Sequence, residues 1–117
     1  MTEDSREQLR DYLVEVARAG RTMTYAQAAS RVGLDVRRAA DANALSGLLR
    51  AVSEGEHQAG RPLLSAVCVL AGGARRPGQA FFNLARVLGL LKAEDDTREF
   101  YAAELARVHA HWDNSAS

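Results

Sequence analysis

The 117-residue chain predicts a single, mostly helical α+β domain, and three observations lead to that class. Apolar residues recur at helical spacing through most segments. Ser5, Thr24 and Asp96 each stand three residues before a glutamine or glutamate, as capping boxes do. One continuous apolar run, Leu63 to Leu70, is short and bounded by Pro62 and Gly72. Hydrophobic residues make up 47% of the chain and charged residues 26%, which is enough for one core at this length. The expected organisation is one domain over residues 1–112 and a loose tail over 113–117, with no repeat, linker or low-complexity segment.

Leu9, Tyr12, Leu13, Val16 and Ala17 form one helix face. The first helix is expected from about Ser5, capped with Gln8, to Ala19, and Gly20 follows as the residue that leaves it in the left-handed conformation. Arg21 to Thr24 reads as an extended link. Thr24 and Gln27 open a short second helix from Tyr25 to Val32, terminated by Gly33. The segment from Asp35 to Asp41 fits a loop or the start of a longer helix, since both aspartates can cap. Leu45, Leu48, Leu49 and Val52 restore the helical stripe of a third helix, and Gly55 opens a polar stretch closing at Pro62.

The run from Leu63 to Leu70 reads as a buried strand. Ala71 to Gly78 combines glycines, Pro77 and two arginines, a turn expected to present Arg75 and Arg76. Phe81, Leu84, Ala85, Leu88 and Leu91 define a fourth helix ending near Leu91. Tyr101, Leu105, Val108 and Trp112 define a last one behind the Asp96 and Glu99 cap.

Fifteen basic and fifteen acidic residues cancel, so no broad positive field attracts nucleic acid and any DNA contact must be local. Fourteen of the basic residues are arginine, whose planar fork suits phosphate and guanine, although coding bias gives the same ratio. No apolar run approaches the roughly 20 residues that span a bilayer, and no apolar leader opens the chain, so a cytoplasmic protein without membrane contact is expected. The single cysteine, Cys68, excludes an internal disulfide and a two-cysteine redox or zinc motif.

Helix, short extended link, short helix, longer helix, then strand and turn is the element order of a winged helix, with two additional C-terminal helices here. Met23-Thr-Tyr25 resembles the opening of the second helix in winged-helix proteins, among them the alkylated-DNA repair transferases and their non-catalytic relatives. Pro62-Leu-Leu-Ser-Ala-Val67, Pro77-Gly-Gln-Ala-Phe-Phe82 and the closing stretch from Tyr101 to Trp112 are together similar to a group of small bacterial winged-helix-like proteins. The resemblance implies a fold and a bacterial setting rather than an activity. The repair transferases carry a nucleophilic cysteine in a Pro-Cys-His-Arg stretch, whereas Pro62 here is followed by Leu63 and Leu64. Cys68 stands between Val67 and Val69 with no neighbouring histidine to activate it, so it is expected to be core.

Other chemistry finds no support. His109 and His111, two apart on a helix, point about 200° from each other and cannot share a metal; His57 has no nameable catalytic partner. Glu54, Glu56, Glu94, Asp95 and Asp96 fall at helix ends and turns, where capping and solvation account for them. Gly72-Gly73 lacks the phosphate-loop pattern. No enzyme activity, metal or cofactor is therefore expected. The candidate function is a binding module with double-stranded DNA as first partner, as in a transcriptional regulator. Arg37, Arg38, Arg50, Arg75 and Arg76 are placed for phosphate and groove contacts, and Asn43 and Ser46 for base edges. The alternative is a protein partner or homodimer, docked through the fourth helix or the aromatic last one.

Overall fold

In a computed structural model, residues 2–71 and 76–113 are described. They form a mostly helical α+β fold: α1 (Thr2–Arg18), β1 (Met23–Thr24), α2 (Tyr25–Arg31), α3 (Ala39–Gln58), a 3-10 turn (Leu64–Val67), β2 (Cys68–Val69), α4 (Gln79–Val87) and α5 (Thr97–Trp112). None of these helices is long and apolar enough to cross a membrane.

The helix ends follow local chemistry. Gly20, at φ 68°, lets the chain reverse so that its own amide reaches the Ala17 carbonyl and the Arg21 amide reaches that of Val16. Thr24 and Gln27 cap α2 reciprocally, at 3.1 Å and 2.9 Å. The Ser5 box does not form: α1 runs past Ser5 toward Thr2, so both Ser5 and Gln8 lie inside the helix. Asp96 caps α5 by accepting from the Arg98 and Glu99 amides. Arg38, rather than either nearby aspartate, precedes α3. The Asp41 carboxylate instead accepts from the Asp35 amide, and Asp35 accepts from Arg37, which fixes the α2–α3 loop. Gly55 does not end α3, which continues to Gln58. The fourth helix stops at Val87 because Gly89 turns the chain, though Leu91 is still buried.

The expected strand from Leu63 to Leu70 is the main correction. Only Cys68 and Val69 pair, parallel to Met23 and Thr24, and Leu64–Val67 coil into the 3-10 turn. This segment contacts α1, α3 and α5, so helices surround it and no strand can supply a ladder. Three of its backbone groups bond to side chains instead. The Leu63 amide donates to Glu104 Oε2 at 2.7 Å, the Ser65 amide donates to Ser53 Oγ at 3.0 Å, and the Ala66 carbonyl accepts from Tyr101 Oη at 2.9 Å. A hairpin after β2 would fall on residues 72–75, which lie outside the described residues.

The core is one cluster in which Leu9, Leu13 and Ala17 of α1 meet Leu45, Leu49 and Val52 of α3, Leu63 to Cys68, and Phe81, Phe82 and Ala85 of α4. Helix α5 closes it with Val108, while its Tyr101 ring packs edge-on to Phe81 and Arg10 lies over the Trp112 ring. Glu104 is on the same buried face, bonded to Arg107 as well as to the Leu63 amide.

Candidate functional site

The second half of the α2–α3 connection leads onto the exposed side of α3. Asn43, Ser46 and Arg50, at spacings of three and four, share one face of that helix, and all three are exposed, as is Arg38 at its N-terminal end. Ala40, Ala44 and Gly47 lie exposed among them. A side chain added at Gly47 would meet nothing within 4 Å, so this surface is smooth as well as open. Arg50 faces Glu54 at 3.7 Å, too far for a hydrogen bond.

The remaining sequence candidates divide. Arg37 is brought to Asp35 instead of standing alone: its Nη2 lies 2.9 Å from the Asp35 carboxylate. Hydrogen bonds from the Arg37 side chain and amide hold the Asp35 carboxyl below its ordinary range. Arg76 is exposed, and its carbonyl accepts from the Leu70 amide at 2.8 Å, which closes the loop after β2. Leu70 borders the same cleft as Ser46 and Arg50, so this loop end sits on the α3 side of the molecule. Arg75 lies outside the described residues.

That cleft was not legible in the sequence. It encloses about 430 Å³ between the N-terminal half of α3, the start of α2, Leu70 and Ala71 after β2, and the first turns of α4. Leu45, Leu49, Phe81 and Leu84 give it an apolar interior. The Tyr25 hydroxyl accepts a 2.6 Å hydrogen bond from the Gly78 amide, tying the first residue of α2 to the residue that starts α4. Burial pushes the Tyr25 phenol up to about 12, although the Gly78 bond acts the other way. Arg50 is the one charged residue along the described walls, and no carboxylate lines them. Tyr25 was expected only as the opening residue of the second helix, and a cleft that joins residues this far apart has no local signature.

Cys68 is fully buried, and burial alone pushes its thiol up to about 12. We expect a thiol-specific reagent at pH 8 to label the native protein at the rate of global unfolding and the denatured protein at once; immediate stoichiometric labelling of native protein would contradict this burial. His109 Nε2 lies 3.0 Å from the Arg21 carbonyl, and His111 stacks edge-on to Trp112. Among the described residues no group of three or more His, Cys, Asp or Glu side chains is placed to hold a metal ion. Glu56 departs from its expected role as a solvated helix-end residue. It is 2% exposed, and its carboxylate receives Arg10 Nε at 2.8 Å and Arg61 Nε at 2.7 Å.

Comparison with known protein families, curated protein sequences and solved structures finds no match for this chain.

Proposed function

We propose that this chain is a non-enzymatic DNA-binding module of winged-helix type, acting without a cofactor and laying the first half of α3 in the major groove. The observation that carries this reading is the exposed face of α3. Asn43, Ser46 and Arg50 are there at successive helical turns, among alanines and a glycine that let the helix approach base edges closely. Asparagine suits adenine, arginine suits guanine and serine reaches either, while a face of small residues fits a groove about 12 Å wide. Arg38 at the helix start and Arg76 at the loop end are the phosphate contacts of this reading, with Arg75 beside Arg76 in sequence. The resemblance of Met23 to Tyr25 and of the later motifs to winged-helix proteins adds support. The neutral net charge supplies no broad attraction to DNA, so binding in this reading depends on these few arginines, and the role proposed is that of a bacterial transcriptional regulator working in the cytoplasm.

The test is retention of labelled duplex DNA by the purified protein across a salt series, beside the double variant Arg38→Glu, Arg76→Glu. Both positions are exposed, so the variant keeps its helical circular dichroism. Losing two phosphate contacts lowers the log–log salt slope by about 2 and the low-salt affinity by more than roughly tenfold. Asn43→Ala, by contrast, relaxes sequence preference with little change in slope. Absence of retention at low salt by the folded protein defeats the reading.

A second reading, self-association or docking of a protein partner through α4, is favoured by Val87, which is 70% exposed on that helix. Tyr101 and Trp112 do not add to it, since Tyr101 bonds to the Ala66 carbonyl and Trp112 lies under Arg10. Sedimentation at rising concentration separates the readings: the arginine variant leaves any α4 association intact, and Val87→Arg removes it.

A further inference from the structure

We infer that the cleft between α3 and α4 binds a small molecule with an apolar body and a single carboxylate. Its volume of about 430 Å³ lies within the roughly 300–1,000 Å³ typical of small-molecule sites, which are mostly apolar with a few placed polar groups. Here Leu45, Leu49, Phe81 and Leu84 supply the apolar part.

The sign of the polar part comes from two independent elements. Arg50, on α3, is the charged residue at the cleft, and its approach to Glu54 is a loose one between half-exposed side chains, weak enough for a bound anion to replace. Across the cleft, α4 begins at Gln79, and Gln79 and Ala80 both line the space. The amides of the first residues of a helix have no intrahelical acceptor, and the helix dipole makes that end favourable to an anion. Gly78, just before them, already gives its amide to Tyr25, which holds this helix end at the cleft. Among the described residues no Asp or Glu lines the walls, so the carboxylate an anion must displace is that of Glu54 beside Arg50. Arg50 is the one cation among the described wall residues, and a single guanidinium matches a monoanion in preference to a phosphate ester.

The inference does not depend on the DNA reading, so its test omits DNA. Octanoate and octanol, each below its aggregation concentration, are titrated into the full chain by calorimetry, with chemical-shift mapping of the bound state. Octanoate is expected to saturate and to shift amides of α3 and of the α4 start. Arg50→Gln, at an exposed position, weakens octanoate by roughly tenfold or more and leaves octanol unchanged. Ala80→Trp, also at an exposed position, fills the cleft and removes both. Failure of octanoate to saturate, equal affinity for octanol, or an Arg50→Gln variant that binds octanoate as well as the native chain overturns the inference. Circular dichroism of each variant keeps loss of fold apart from loss of binding.

Discussion

Replacing Glu56 by alanine should cost the fold about 2–3 kcal/mol, read as a lower urea midpoint at unchanged slope. The carboxylate is almost wholly buried between α1 and the end of α3, and it accepts from Arg10 and Arg61 through both oxygens. Its loss deprives both guanidiniums of their partner. Breaking a fully buried pair costs about 3–5 kcal/mol. Here the arginine side chains remain 34% and 33% exposed and recover part of the loss by hydration. The pH dependence has a definite sign. Burial would raise the Glu56 carboxyl, but the Arg61 and Arg10 hydrogen bonds outweigh it and hold the group below its ordinary 4.5. Its contribution is therefore fully present above that value and is lost as the pH falls through the lower folded value. Stability of the native chain should fall more steeply than that of Glu56→Gln between about pH 5 and 3. Parallel curves for the two proteins would show that the ion pairs contribute nothing.

Leu64→Ala should be costlier still, about 3–5 kcal/mol by the same denaturation measurement. Leu64 is fully buried in the 3-10 turn, among helices that approach it from three sides. The upper part of the usual range for such truncations applies because the surroundings cannot close on the void. The backbone on either side is pinned by Glu104, Ser53 and Tyr101 through hydrogen bonds at 2.7 to 3.0 Å. Leu70→Ala is the matched control. That side chain is 47% exposed, and its removal should cost about 1 kcal/mol or less. Comparable losses at the two positions would mean that the apolar run is not buried as described.

How much of this could be read in advance depended on how local the cause was. The α1 stripe of Leu9, Leu13 and Ala17, the α3 stripe of Leu45, Leu49 and Val52, the reciprocal Thr24–Gln27 cap and the reversal at Gly20 all rest on neighbours within a few residues, and each is present. The segment after Pro62 was misread as a long strand because its partners are 12, 35 and 41 residues away, and nothing near it announces that side chains replace a ladder. Glu56 was misread for a related reason: its position near the end of α3 is what a solvated glutamate shows, while Arg10 approaches from 46 residues away. At the candidate site, the assignment of Asn43, Ser46 and Arg50 to the third helix followed from the apolar stripe of Leu45, Leu48, Leu49 and Val52 around them. The pairing of Arg37 with Asp35 depended on the exact path of a loop, and the apolar cleft beside α3 depended on how four elements meet.

The short turn from Leu64 to Val67 also determines how the molecule comes apart. Helices α1, α3 and α5 all pack on it, so displacing it uncovers three helix faces at once. Detaching α1, α3 or α5 exposes the buried side chains of the turn, so these three helices are expected to open together. The amides of Leu63 and Ser65, bonded to side chains from α5 and α3, are accordingly expected to be among the slowest to exchange with solvent.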